Sequence, residues 1–147
     1  MKRPRSISNA ILFLQVLLFA SAVPLLLCLK LHRLAAILDF RTPSASPNAA
    51  DVERIAACVE RAIHKGRPLV RSGCLTRGLT RYYFLRRAGL HVSLCFGMSE
   101  AVGHCWLERN GEPFLEPSDP RKRFLVMYRI PNRIPVPAGA SAAMVKP

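Results

Sequence analysis

Acidic residues are scarce in this 147-residue chain, and the motifs that mark nucleic-acid binding are missing from it. Nine Asp and Glu residues stand against 22 Lys and Arg residues, which gives a formal net charge of +13 at pH 7. This excess favours an acidic partner, such as an anionic membrane surface or an acidic peptide. The basic residues form no single tract, and no helix-turn-helix, zinc-finger or aromatic stacking motif accompanies them. We therefore expect no nucleic-acid partner.

Paired cysteines are also missing. The five cysteines are an odd number, and no two of them form a C-x-x-C pair. This pattern argues against a complete disulfide framework and against a zinc site, so we expect neither a metal nor a cofactor. Reduced thiols fit a domain that faces the cytosol. Four of the cysteines are predicted to be small buried apolar residues: Cys28, Cys58, Cys95 and Cys105.

An almost unbroken apolar run occupies residues 10–29. Its 20 residues match the length of a membrane-spanning helix, which predicts a protein anchored at the cytoplasmic face of a membrane. A secretory signal is a second interpretation, because Lys2, Arg3 and Arg5 precede the run and Ala20-Ser21-Ala22 resembles a cleavage site. In a third interpretation, the run is a helix that packs on a partner protein or on the rest of this chain.

The length of the chain allows one domain with a modest core. A linker rich in Pro and Ser, residues 41–47, separates the apolar run from the rest of the chain. We predict an apolar N-terminal helical segment with its linker at 1–47 and a domain at 48–130. The Pro, Ala and Gly content of residues 131–147 predicts a disordered tail.

Two helices are predicted at the start of the domain. Asn48 and Asp51 form a helix-starting pair, and apolar residues recur from there at helical spacing until Gly66. A second helix is predicted from Cys74 to a close at Gly89. The glycine at position 78 costs this helix roughly 1 kcal/mol relative to alanine, which is tolerated if another element packs closely there.

Strands come after the helices. From His91 the apolar residues recur with a period of two, which predicts a strand. Segments 104–108 and 112–116 are predicted to form a hairpin about Asn110-Gly111, and segment 124–130 to add another strand.

Cys74 and His104, thirty residues apart, have the positions expected of a thiol nucleophile and its base. A cysteine is only a few per cent ionised at neutral pH, and a helix N-terminus and a nearby imidazolium both favour the thiolate. Here the second predicted helix begins at the cysteine, and the histidine lies on the predicted hairpin. Trp106 is predicted to pack beside His104. Arg77 and Arg81 share a helix face that is predicted to be solvated, with docking of an acidic peptide segment as the weaker alternative.

Several motifs occur in a fixed order: Cys74-Leu75-Thr76-Arg77, Leu85-Arg86-Arg87-Ala88-Gly89-Leu90, Phe96-Gly97-Met98, Gly103-His104-Cys105-Trp106-Leu107-Glu108 and Asn110-Gly111. In this combination, residues 51–119 resemble the transglutaminase-like cysteine peptidases of lasso-peptide maturation. These are the B2 leader peptidases, which are also named for the C-terminal domain of the microcin J25-processing protein. The resemblance implies an α+β fold of the papain or transglutaminase type. In that fold a helix bearing the cysteine packs on a small antiparallel sheet that bears the histidine and an acid.

The resemblance also implies roles for individual residues. Cys74 corresponds to the nucleophile, His104 to the base and Glu116 to the acid, where the family pattern has an aspartate. The implied activity is that of a thiol protease, which removes the leader from a ribosomally synthesised precursor peptide through an acyl-enzyme. The implied partners are the precursor, a leader-recognition protein of the B1 type and a lasso cyclase. Transfer of the acyl group to an amine is one alternative, and a catalytically silent, membrane-associated peptide-binding scaffold is another.

The length of the hairpin loop offers a separate indication of which acid faces His104. A three-residue loop places His104 directly across from Glu116. A two-residue loop turns Glu116 to the other face of the hairpin and makes Asp119, diagonal to His104, the better partner. Glu116 is favoured, with Asp119 as the alternative.

Overall fold

The computed structural model describes residues 5–131, which form an α+β fold of four helices followed by a four-stranded antiparallel sheet. The helices are α1 (Arg5–Leu26), α2 (Leu31–Leu38), α3 (Ala49–Lys65) and α4 (Cys74–Arg87). The strands are β1 (Ser93–Ser99), β2 (Val102–Arg109), β3 (Glu112–Phe114) and β4 (Leu125–Ile130), with a short 3-10 helix at Pro120–Lys122. The strand order in the sheet is β3-β2-β1-β4. The predicted fold class is confirmed.

Helices α3 and α4 begin where the sequence predicts them. The side chain of Asn48 accepts a hydrogen bond of 2.8 Å from the backbone N–H of Asp51, and α3 ends at its cap residue Gly66. Helix α4 starts at Cys74. Gly89 follows α4 with a φ of 101°, a left-handed conformation that glycine adopts without strain.

Helix α4 packs tightly against the sheet at Gly78. A Cβ atom added to this residue would lie 2.8 Å from Sγ of Cys105 and 3.3 Å from Cδ1 of Leu94. These distances leave no room for a methyl group, so the glycine lets α4 sit directly on β1 and β2. The close packing predicted at this position is confirmed, and it brings the start of α4 to the strand that carries His104.

Both faces of the sheet are buried where β1 and β2 pair at their middle. Leu94 and Cys95, neighbours in β1, are both fully buried. Trp106 pairs with Cys95 across the strands and is fully buried as well. Residues on both faces of β1 are therefore buried, and the strand begins at Ser93, two residues after the predicted start at His91.

Helix α1 is part of the core along one face. Val16, Ala20 and Val23 are fully buried, where α1 packs on α3 and α4. By length and hydropathy α1 is also apolar enough to cross a membrane. Of the three interpretations of residues 10–29, packing on the rest of the chain describes the arrangement in the structure.

The cysteine prediction holds at three positions and fails at one. Cys58, Cys95 and Cys105 are buried, whereas Cys28 is exposed because it lies in the turn after α1. All five thiols are free. The disordered tail predicted at 131–147 lies outside the described residues, apart from Pro131.

Candidate active site

A cavity of about 500 Å³ opens where the first turns of α4 meet β2 and the segment after β3. The following residues line it: Glu60, Cys74, Arg77, Gly78, Arg81, His104, Cys105, Leu107, Leu115, Glu116 and Pro117. Three of the four residues predicted from the sequence as catalytic, Cys74, His104 and Glu116, thus meet around one cavity.

Cys74 is the first residue of α4 and is half-buried. The preceding cap residue, Gly73, has no side chain with which to accept hydrogen bonds from the first turn. The first backbone hydrogen bond of α4 runs from the N–H of Arg77 to the carbonyl of Gly73. The earlier N–H groups of the helix have no intrahelical acceptor, and their dipoles favour negative charge close to the sulfur.

His104 lies near the start of β2, and its side chain is 27% exposed. Its ring packs against two aromatic side chains, at centroid distances of 5.9 Å to Trp106 and 5.0 Å to Phe124. The indole N–H of Trp106 donates a hydrogen bond of 3.2 Å to Oε1 of Glu108. The predicted packing of Trp106 beside His104 is confirmed, and it restricts the orientation of the imidazole.

Glu116 faces the imidazole of His104. Its Oε2 atom lies 3.6 Å from Nε2 of the histidine, and its side chain is 15% exposed. This distance is longer than a hydrogen bond, but it allows an ion pair when the imidazole is protonated. Because Nε2 faces the carboxylate, Nδ1 is the ring nitrogen available to a second partner.

The hairpin loop differs from the expected three-residue loop. Arg109 pairs with Glu112, so the loop contains two residues, Asn110 and Gly111. Both loop residues have positive φ angles, 54° and 82°, as a type I′ turn requires. The expectation of a three-residue loop was wrong, because the Asn-Gly pair satisfies the tighter turn by itself.

Glu116 nevertheless meets His104, because β3 is short. If the ladder continued in this register, Glu116 would project to the opposite face of the sheet from the histidine. Strand β3 ends at Phe114, however, and Leu115 adopts a φ of 60°. This left-handed residue redirects the chain and turns the carboxylate of Glu116 towards the imidazole.

Asp119, the alternative acid, has a different environment. Its carboxylate caps the 3-10 helix by accepting a 2.9 Å hydrogen bond from the backbone N–H of Arg121, and it also pairs with the Arg121 guanidinium at 2.8 Å. The hydrogen bonds from Arg121 hold the pKa of Asp119 below its usual range. Asp119 is not one of the described residues that line the cavity.

Three charged residues that line the cavity, Glu60, Arg77 and Arg81, were not predicted to be catalytic from the sequence. Oε1 of Glu60 accepts hydrogen bonds from Nε of Arg77 at 2.7 Å and from Nη2 of Arg81 at 3.0 Å. Arg81 is only 12% exposed, and its Nη1 donates a 3.1 Å hydrogen bond to the carbonyl of Leu115. Burial lowers the pKa of Arg81, and the charge of Glu60 opposes that shift. The helix face predicted to be solvated is therefore tied to α3, a contact between distant segments that no local sequence pattern signals.

A second thiol, that of Cys105, also lines the cavity. Its side chain is buried, and burial raises its pKa well above the ordinary value of a cysteine, with the neighbouring Cys74 thiol as a second cause. Cys105 therefore stays protonated and is a poor nucleophile. Within residues 5–131, no group of three His, Cys, Asp or Glu side chains is arranged to hold a metal ion.

A scan against family models matched residues 16–129 to the transglutaminase-like superfamily. The match begins inside α1, crosses the predicted linker and extends into β4, so that it includes Cys74, His104 and Glu116. No curated protein and no solved structure gave a significant match. Since the matched region covers most of the chain, the protein belongs to the transglutaminase-like superfamily.

Proposed function

We propose that this protein is a cysteine peptidase that removes the leader from a ribosomally synthesised precursor peptide during lasso-peptide maturation. The observation that carries the proposal is the convergence of a helix-starting thiol, an imidazole and a carboxylate on one cavity. Membership of the transglutaminase-like superfamily supports thiol-based acyl chemistry at this cavity. The resemblance of residues 51–119 to the lasso-peptide leader peptidases supports the choice of substrate.

In the proposed first half-reaction, Nδ1 of His104 takes the proton of the Cys74 thiol. The thiolate forms a bond to the carbonyl carbon of the scissile peptide, and the electron pair of the carbonyl moves to its oxygen. The backbone N–H of Cys74 is the proposed donor to this oxyanion, since the start of α4 leaves it without an intrahelical acceptor. When the C–N bond breaks, the imidazolium gives its proton to the leaving amine.

In the second half-reaction, His104 removes a proton from water, which attacks the thioester carbon. Collapse of the tetrahedral intermediate breaks the C–S bond and releases the carboxylate of the leader. Glu116 holds the imidazole in the required orientation and stabilises its protonated form. Its loss is expected to be less severe than the loss of either Cys74 or His104.

The proposed partners are the precursor peptide, a separate leader-recognition protein of the B1 type and a lasso cyclase. The net charge of +13 favours an acidic segment in at least one of them. Five free thiols support a reducing compartment, such as the cytoplasm, as the site of the reaction.

Mass spectrometry of a precursor incubated with the enzyme and its leader-recognition partner tests the proposal. We expect a leader fragment and a core fragment with the wild type, and neither fragment with Cys74→Ala. The matched control is Cys28→Ala, which removes an exposed thiol outside the cavity and should cleave at the wild-type rate. Cleavage at the native rate by Cys74→Ala would eliminate the mechanism.

The superfamily match also supports a second function, in which an amine intercepts the same acyl-enzyme. Adding a primary amine to the reaction distinguishes the two functions. Hydrolysis gives a leader with a free carboxylate. Transamidation gives a leader that is heavier than this hydrolysis product by the mass of the amine minus the mass of one water.

We further propose that the protein works at the cytoplasmic face of a membrane, with α1 lying along an anionic lipid surface and not crossing it. Ile11, Leu14, Leu18 and Leu25 form an exposed stripe on α1, with 39%, 56%, 63% and 73% of their surface accessible. The opposite face of α1 is occupied by the core, so among the described side chains of α1 this stripe is the exposed surface formed by large apolar residues. The net charge of +13 favours anionic headgroups.

Sedimentation with vesicles tests this placement. We expect binding to phosphatidylcholine vesicles that contain phosphatidylglycerol, weaker binding at high salt, and a large loss of binding in the Leu14→Glu/Leu18→Glu variant. Leu125→Glu is the control, because Leu125 is 73% exposed on β4. Absence of vesicle binding, or dimer formation through the stripe in light scattering, would contradict the proposal.

A further inference from the structure

The contact between Glu116 and His104 depends on an unfavourable backbone conformation at Leu115. Its φ of 60° lies in the left-handed region, which costs a residue with a side chain on the order of 1 kcal/mol. Without it the hairpin register would direct Glu116 away from His104. Some interaction must therefore stabilise this bend against relaxation.

Arg81 makes that interaction. It lies seven residues after Cys74 on α4, and its guanidinium reaches across the cavity wall to the carbonyl of Leu115 at 3.1 Å. The same guanidinium is fixed on its other side by Glu60, at 3.0 Å. The planar guanidinium of an arginine that donates to two acceptors holds them more rigidly than the single ammonium group of a lysine does.

We propose that Arg81 is a positioning residue for the catalytic acid. It holds the bend at Leu115 and thereby places the carboxylate of Glu116 beside the imidazole of His104. This inference rests on the proposed function, because it takes Glu116 as the acid that orients His104. Arg81 acts through the backbone and not on the substrate. The helix that carries the nucleophile thus also fixes the acid, so the two ends of the triad are aligned by one element.

The proposal predicts that removal of Arg81 and removal of the Glu116 carboxylate have the same consequence. We expect Arg81→Met to lower kcat by between about tenfold and a hundredfold with little change in KM, since only the alignment of the triad is lost. In the Arg81→Met background, Glu116→Gln should then cost little more. Arg81→Lys should restore only part of the rate, because an ammonium cannot reproduce the fork.

The matched comparison is Arg77→Met. Arg77 also binds Glu60, at 2.7 Å, and it is one turn away on the same helix face. The contact between Arg81 and Leu115 remains in this variant, so we expect a loss of kcat several times smaller than that of Arg81→Met. Equal losses in the two variants would overturn the proposal and indicate a general effect of charge.

Alkylation of Cys74 by iodoacetamide separates this inference from the proposed function, because it needs no substrate. We expect the pH profile of alkylation to shift towards higher pH in Arg81→Met and in Glu116→Gln, with no further shift in the double variant. A purely structural role for Arg81 would lower the melting temperature and leave the profile unchanged, which would overturn the inference alone. A wild-type Cys74 with no enhanced reactivity would overturn both the inference and the proposed function.

Discussion

Replacement of Gly78 by alanine tests the contact between α4 and the sheet that brings Cys74 to the strand of His104. On an unpacked helix face this change stabilises a protein by up to about 1 kcal/mol, because glycine is a poor helix former. At position 78 the new Cβ would lie 2.8 Å from Sγ of Cys105 and 3.3 Å from Leu94. Both neighbours are buried, so neither can move away freely.

The expected change is the difference between these two effects. Overpacking of a close contact costs about 1 to 3 kcal/mol, and the first distance is shorter than any ordinary carbon to sulfur contact. With the gain in helix propensity subtracted, we expect Gly78→Ala to lower the free energy of unfolding by up to about 2 kcal/mol. The proposed peptidase activity should fall as well, since α4 must shift relative to β2.

Urea denaturation of a double-mutant cycle with Cys105→Ala provides the assay. Cys105→Ala removes the sulfur that the new methyl group would meet. In that background Gly78→Ala should therefore become neutral or stabilising, with a coupling energy of more than about 1 kcal/mol. A stabilising effect of Gly78→Ala in the wild-type background would refute the close packing of α4 on β2.

Three further predictions concern other parts of the molecule. Burial and then the nearby charge of Glu108 raise the pKa of Cys95 to about 12. In the unfolded chain this thiol loses its proton near pH 8.5 to 9. The free energy of unfolding should therefore fall as pH rises from about 9 to 12, by on the order of 1 kcal/mol per pH unit. In Cys95→Ala it should fall less steeply. Asn48→Ala should cost about 1 kcal/mol in urea denaturation, because it removes the hydrogen bond at the start of α3, whereas Asn48→Asp should keep most of it. In a steady-state cleavage assay, Asp119→Asn should retain kcat within about twofold, while Glu116→Gln should lose tenfold or more.

Much of the domain could be predicted from its sequence because its signals are local. The cap pair at Asn48, the glycine at position 89 and the turn at Asn110-Gly111 each fix the backbone through their own chemistry. The motifs around Cys74 and His104 carried the resemblance to the transglutaminase-like cysteine peptidases. The family match supports this resemblance as far as the superfamily. These features depend on neighbouring residues, and the structure contains them where they were expected.

Other features depend on contacts between distant segments. The resemblance places the acid at Glu116, but the hairpin argument that favoured the same residue relied on a three-residue loop, which the structure does not contain. Glu116 reaches His104 only because Leu115 leaves the strand geometry. The bonds from Arg81 to Glu60 and to Leu115 span 21 and 34 residues of sequence, so no periodicity reveals them. In the same way, the apolar run at 10–29 cannot itself indicate that one of its faces packs into the core.

The central claim, that His104 activates the sulfur of Cys74, is tested most directly by competition between two thiols of the same molecule. Cys28 is exposed and Cys74 is half-buried, so access alone predicts faster alkylation of Cys28. At pH 6 we expect iodoacetamide to modify Cys74 at least about tenfold faster than Cys28. We expect His104→Ala to lose most of this advantage and to keep only the part that the start of α4 supplies. Faster modification of Cys28 in the wild type, or an advantage of Cys74 that is undiminished in His104→Ala, would contradict the account.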